Sequence, residues 1–339
     1  MPDHTVSFSK NAANVFFHLL TQCNLHCGHC YINPEQHGKR AVSLETAGKW
    51  LKMLIRQSPK ANLVLLGGEP TLHPDLASIV RAARQMKYAS VTIDTNGYLF
   101  HNILERVTPA EVDFFSFSLD GATAATNDAI RGVGVFETCT AGLQKAKVKG
   151  FKTSLIYTVS SLNLDELADM PPLLDQLGVD HFFIQVIGLR GQSAPSGDEQ
   201  PAPLQLSRDQ WLRRIPEVAR QAARLGITVT YPKVFLSAGE PFACAGRVAD
   251  NYFVFPNGRV YRCPLCEDYP LHSLVFDGND LCLTPKINES DLFALDIPEG
   301  CVMNKLIQPH NLVYLDDGRP AYQIACCLLK EKVLPGETT

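Results

Sequence analysis

Residues 15–30, VFFHLLTQCNLHCGHC, set a short apolar run directly before three cysteines, Cys23, Cys27 and Cys30, spaced C-x3-C-x2-C. Such a run, bounded by polar residues, reads as a buried strand, which puts the cysteines on the loop at its carboxyl end. Working outward, the chain keeps a βα rhythm. Ser43 can cap a helix whose apolar positions Ala47, Trp50, Leu51 and Leu54 follow i, i+3, i+4, i+7. Residues 63–66 read as the next strand, and Leu76, Ile79, Val80 and Ala83 share one face of the helix after it. Residues 91–94, 114–119, 153–159 and 181–186 are further strands, each followed by a helical segment. Pro171, Pro172 and Pro216 fall inside segments that otherwise read as helices and blur their ends. Six such units joined by right-handed crossovers predict an α/β fold, a partial (β/α)6 barrel of the TIM kind, with its site at the carboxyl ends of the strands.

After about residue 230 helical periodicity fades. YFVFPNGRVYR, residues 252–262, reads as a hairpin turning at Pro256, Asn257 and Gly258. The expected division is an N-terminal lead over residues 1–13, the barrel over 14–230 and a smaller cysteine-rich domain over 231–339. Residues 188–203, rich in Gly, Pro and Ser, read as a loop or flap.

The 339 residues are 45% hydrophobic and 19% charged, the composition of a packed globule, and the formal net charge is −4. No run of like charges suggests nucleic acid, and neither a signal segment nor a spanning apolar stretch suggests a membrane, so a cytoplasmic protein is expected. The eleven cysteines fall in two groups, three by residue 30 and seven from Cys244 onward, with Cys139 between. Grouped cysteines without an export signal point to metal rather than disulfides.

Three thiolates on one loop can hold three irons of a four-iron, four-sulfur (4Fe-4S) cluster and leave the fourth iron open to a ligand. Zinc is the alternative; it asks for four closed ligands, and His26 and His29 are close by. TQCNLHCGHCYI, residues 21–32, resembles the cluster-binding loop of radical S-adenosylmethionine (SAM) enzymes. In that resemblance His29 takes the aromatic slot whose backbone lies near the adenine, and Tyr31 adds an aromatic wall. LLGGEP, residues 65–70, resembles the family's GGE motif: Gly67 and Gly68 let backbone approach a ligand, and Glu69 offers an acceptor. The resemblance assigns this motif to the amino group of the methionine moiety; a strand-end turn with an exposed glutamate is the plainer reading.

Thr95-Asn96-Gly97 and Ser118-Leu119-Asp120-Gly121 end the next two strands, and Arg131-Gly132 and Phe136 follow. Together they resemble a subfamily that includes the SPASM enzymes and the molybdopterin-precursor cyclase. This implies Thr95 and Asn96 among the cofactor contacts, and Ser118 and Arg131 at the methionine carboxylate, for which a guanidinium is the natural partner. Gln185 and Asn163 fall where the subfamily places polar residues facing the cofactor; helix capping also accounts for Asn163.

Cys244-x13-Gly258-x4-Cys263 resembles the opening of a SPASM domain, and Cys263-x2-Cys266 adds a knuckle. The longer cysteine run of a full SPASM domain is absent, so the resemblance implies the shortened twitch form with one auxiliary 4Fe-4S cluster. Its expected ligands are Cys244, Cys263, Cys266 and one later cysteine, with Cys327 preferred among Cys282, Cys301, Cys326 and Cys327. A zinc knuckle is the alternative. Glu267 and Asp268 read either as a general base near the substrate or as solvated carboxylates.

Membership in this family implies reductive cleavage of SAM to a 5′-deoxyadenosyl radical, fed by an electron donor such as flavodoxin or ferredoxin, and hydrogen abstraction from a substrate. A peptide or protein side chain, oxidised or crosslinked, is the first substrate reading, although residues 1–14 are too few for the leader-binding domain many peptide maturases carry. Small-molecule chemistry of the haem or cofactor kind is the second. A non-catalytic iron–sulfur electron carrier is the remaining alternative, and SAM-binding motifs argue against it.

Overall fold

In β1, Asn14–His18, alternate side chains serve opposite faces: Val15 and Phe17 are fully buried against helices, while Asn14, Phe16 and His18 point the other way, into the barrel. The computed structural model describes residues 13–194, 204–237 and 239–336. The same alternation continues through β2 (Asn62–Leu66), β3 (Ser90–Thr95), β4 (Phe114–Ser118), β5 (Thr153–Val159), β6 (His181–Val186) and β7 (Thr228–Pro232), each parallel to the one before. The six expected strands thus stand at or within a few residues of their expected bounds, and β7 is a seventh that straddles the expected boundary at residue 230.

After α1 (Pro34–His37), whose His37 stacks on Phe255 at 4.0 Å, helices cover the outer face: α2 (Leu44–Gln57), α3 (Leu76–Gln85), α4 (Ile103–Arg106), α5 (Ala124–Arg131), α6 (Val135–Val148), α7 (Met170–Leu177) and α8 (Arg208–Arg224). Ser43 accepts a hydrogen bond from Thr46 N as the cap of α2, which buries Ala47, Trp50, Leu51 and Leu54. Pro171 and Pro172 sit in the first turn of α7, where the missing N–H is harmless, whereas Pro216 lies within α8.

The remaining chain forms β8 (Phe235–Leu236), α9 (Ala245–Val248), β9 (Asn251–Val254), β10 (Arg259–Tyr261), β11 (Leu274–Asp277), β12 (Asp280–Leu283), α10 (Glu289–Phe293), α11 (Val302–Ile307), β13 (Gln323–Ile324) and β14 (Lys330–Val333). It returns to both edges of the barrel: β9 runs parallel to β1, and β14 runs antiparallel to β7. One twelve-stranded sheet results, in the order β12-β11-β10-β9-β1-β2-β3-β4-β5-β6-β7-β14. β9 and β10 form the expected hairpin, with Gly258 at φ +84°. At the floor of the barrel a polar ladder crosses four strands, Ser90 Oγ to Asn62, Asn62 to Asn14 and Asn14 to Asn251, at 2.8, 3.1 and 3.1 Å. The N-terminal lead (residues 1–12) and most of the expected flap (195–203) lie outside the described residues.

Candidate functional site

The carboxyl ends of β1 to β6 meet on one rim, and the loop after β1 carries Cys23, Cys27 and Cys30 there, all partly buried. Gly28 N donates to Ile130 O at 3.0 Å and Cys30 N to Cys27 O at 3.1 Å. The end of β2 presses on the loop's start, Gly68 N donating to Leu20 O at 2.9 Å and Glu69 N to Gln22 O at 3.0 Å. A Cβ on Gly67 or Gly68 would overlap the carbonyl oxygens of Leu20 or Gln22, so this glycine pair lets strand and cysteine loop touch. Cys23 Sγ accepts from Leu25 N at 3.4 Å and Asn96 Nδ2 at 3.8 Å. Burial pushes the Cys23 thiol up to about 11 and raises Cys27 and Cys30 as well, with Arg131 pulling the latter two back. Thiols so placed ionise together only beside a cation, and three soft donors on one loop fit iron–sulfur ligation.

Glu69 is fully buried, against the exposed-turn reading. Its Oε1 accepts from Thr71 N (3.0 Å), Thr71 Oγ1 (2.5 Å) and Thr95 Oγ1 (2.9 Å), and its Oε2 from Asn96 N (2.7 Å). Burial raises its carboxyl, although these four donors oppose the shift. Asn96 Nδ2 in turn donates to Asn24 Oδ1 at 2.8 Å, which ties the β3 turn to the cysteine loop.

Arg131 and His29 meet on one carboxylate that the sequence reading had not singled out. Asp120 Oδ2 lies 2.6 Å from Arg131 Nε and 2.9 Å from His29 Nε2, and Oδ1 accepts from Thr158 N at 2.7 Å. Burial alone would raise Asp120; Arg131 first and then His29 outweigh it and hold the carboxyl at about 2. Beside this triad, Gly28, His29, Leu162 and Ile187 help to line a cavity. Ser118 lies at the end of β4, its carbonyl 3.4 Å from Cys139 Sγ. Gln185 accepts from Lys330 Nζ of β14 at 3.1 Å. Asn163 makes no helix cap; its Nδ2 donates to Asp120 O and Thr158 O, both at 3.0 Å, stapling the β4 turn to β5.

In the C-terminal part, four cysteines from four separate segments line one small cavity: Cys244 before α9, Cys263 after β10, Cys301 before α11 and Cys326 after β13. Phe242, Leu265, Phe293 and Met303 make its wall apolar. Of the expected ligands, Cys244 and Cys263 are on this cavity, but Cys266 and Cys327 are not: Cys266 lies against Cys263, and Cys327 against Cys326. The neighbouring Cys327 pulls Cys326 down, while burial and the neighbouring thiols push Cys244 up to about 12. Cys282 is exposed on β12, and Cys139 is buried in α6. Among the described residues no three His, Cys, Asp or Glu side chains are placed to hold a single metal ion. Zinc gathers four donors on one ion, whereas a cubane cluster spreads its thiolates over separate irons.

Residues 18–170 match the family model described as the radical SAM superfamily. The PqqA peptide cyclase of Gluconobacter oxydans is 28% identical over 298 residues, 84% of this chain and 80% of that protein. Residues 18–170 are a radical SAM domain. Pre-heme d1 synthase of Dinoroseobacter shibae is 32% identical over 210 residues, 60% of this chain. The chain spans about half the length of that relative, 51% of it. Its fold is also that of Streptococcus suis SuiB solved with precursor peptide SuiA, with a TM-score of 0.61 at 13% identity over 96% of this chain and 71% of that one.

The members of the superfamily are enzymes, and their SPASM-type relatives share the partial barrel seen here. Three features of the site were only partly legible in the sequence. Asp120 lay within a common turn tetrapeptide, and only its contact with Arg131 sets it apart. Cys301 and Cys326 carry no spacing signal, because they reach the cavity through tertiary folding. Glu267 is not a solvated carboxylate: it is buried and paired with Arg190 Nη1 at 2.7 Å, the guanidinium opposing the rise that burial imposes on its carboxyl.

Proposed function

We propose that this chain is a radical SAM enzyme with two 4Fe-4S clusters that acts on a peptide or protein side chain, oxidising it or forming a crosslink. Reach carries the peptide reading: the likeness to PqqA peptide cyclase extends over 84% of the chain, more than residues 14–230 comprise. In this reading Cys23, Cys27 and Cys30 hold the first cluster. Glu69 fixes the Thr95-Asn96 turn beside Cys23. Arg131, paired through Nε with Asp120, offers its guanidinium to the methionine carboxylate, together with Ser118. The cavity lined by His29, Leu162 and Ile187 takes the adenine. When bound, the cluster and SAM supply the electron and the 5′-deoxyadenosyl radical, and an electron donor of the flavodoxin or ferredoxin kind reloads the system.

The auxiliary cluster takes Cys244, Cys263, Cys301 and Cys326, because these four share one apolar cavity. A second reading, small-molecule chemistry of the haem kind, draws on the higher identity to pre-heme d1 synthase, which is confined to 60% of the chain.

Anaerobic reconstitution tests both parts. Wild-type protein is expected to bind about eight irons and to form 5′-deoxyadenosine from SAM and dithionite. Cys27→Ala should abolish that product. Cys326→Ser should fall to about four irons and Cys327→Ser should keep about eight; the reverse pattern would restore Cys327 as a ligand. No deoxyadenosine from the wild type would end the enzyme reading. Loss of two hydrogens from a candidate peptide, seen by mass spectrometry, would favour the peptide over the small molecule.

A further inference from the structure

Between the two cysteine centres lies a short strap, residues 188–193, that the proposed chemistry does not use. Its contacts face two ways. Toward the first centre, the Arg190 guanidinium stacks over the Tyr31 ring at 4.5 Å, and Gln192 N donates to Cys30 O at 2.8 Å. Gly191, at φ +56°, lies so close that a Cβ there would overlap Cys30 O. Tyr31 is fixed in turn, its hydroxyl 2.8 Å from His18 Nε2, while His18 Nδ1 donates to Val254 O at 3.0 Å. Toward the second centre, Arg190 Nη1 donates to Glu267 Oε2 at 2.7 Å and to Pro264 O, and Gly191 N donates to Asp268 Oδ2 at 2.9 Å. Pro264 lies within the Cys263-x2-Cys266 knuckle, and Glu267 and Asp268 follow it directly.

We propose that Arg190 is a positioning residue that couples the two cysteine centres, clamping the Cys30-Tyr31 end of the first loop onto the Pro264–Asp268 knuckle so that a change at either is felt at the other. The clamp itself is contact geometry; its readout through SAM rests on the function proposed above. A partly buried guanidinium held by a carboxylate, a carbonyl and an aromatic face has one arrangement that satisfies all three, and losing any of them loosens both loops. Coupling of this kind is reciprocal, so a substitution on the knuckle must change ligand binding at the first loop.

The test is a double-substitution cycle on the reconstituted holoenzyme, with SAM as the probe and iron content as the control. Glu267→Gln and Arg190→Gln are each expected to weaken SAM binding by about tenfold, within the usual span of coupled sites, while iron content stays at the wild-type level. Because both substitutions cut the same link, the double variant should bind SAM no more weakly than either single variant. Arg190→Lys should recover part of the loss, since it keeps the charge toward Glu267 but not the planar stack on Tyr31. Wild-type affinity in Glu267→Gln, or losses that simply add in the double variant, would overturn the coupling. If the wild-type protein binds no SAM, the proposed function fails separately. Amide hydrogen exchange over residues 26–31 then decides the clamp: faster exchange in Glu267→Gln upholds it and unchanged exchange overturns it.

Discussion

Asp120 Oδ2 is the point on which a basic group from the cysteine loop, His29, and one from α5, Arg131, converge. Removing the carboxylate leaves Arg131 buried with its charge unpaired, and breaking such a pair costs about 3–5 kcal/mol. Asp120→Asn is therefore expected to lower the urea midpoint at pH 7 by a loss of that order. The folded carboxyl stands at about 2, below its ordinary value of 3.8, so its contribution is complete above that ordinary value and fades as pH falls toward 2. The gap between wild type and Asp120→Asn should consequently be wider at pH 6 than at pH 3, and a gap independent of pH would disprove the pairing. Spacing made Cys23, Cys27, Cys30 and Glu69 legible, since each motif packs several chemical types into a few residues. Asp120 was hidden because Ser-Leu-Asp-Gly is equally good turn chemistry, and only folding brings Arg131 to it.

At the scale of elements, the meeting of β2 with the cysteine loop depends on the absence of side chains at Gly67 and Gly68. Gly68→Ala would drive a Cβ into the Gln22 carbonyl, and relief must move either the strand end or the loop. Overpacking of this sort costs about 1–3 kcal/mol, and here it should also reduce iron retained at the first centre. At Gly48, inside α2, an added Cβ would meet nothing within 4 Å, so Gly48→Ala should instead stabilise by about 0.5–1 kcal/mol. Thermal melts of the two variants should move in opposite directions; a Gly68→Ala protein with wild-type stability and iron content would refute the close-contact argument. The strands and the capped helices were legible because apolar periodicity is local. β7 was missed as a barrel strand because the composition changes at the very residues that form it.

Across the whole molecule, the cysteine-rich segment reads in sequence as a separate domain, yet its strands close both edges of the barrel. β9 takes the hydrogen-bonding edge of β1, and β14 takes that of β7. Side chains follow: Phe253 stacks on Phe16 at 4.6 Å, Phe276 stacks on Trp50 at 4.4 Å, and Trp50 Nε1 donates to Gly278 O at 3.3 Å. None of this is readable from residues 231–339 alone, because pairing partners about 100 or more residues apart leave no local pattern; β9 and β10 were legible only as a hairpin. A chain ended after residue 236 would keep every SAM-side residue named above, but it would expose two parallel-sheet edges and the apolar faces of Phe16 and Trp50. Open edges of this kind template association with other chains. Such a fragment is expected to elute as aggregates in size-exclusion chromatography and to lose cooperative urea unfolding. If it remained monomeric with the urea midpoint of the full chain, residues 14–230 would be an independent domain after all, and the C-terminal segment an appendage rather than the closure of the barrel.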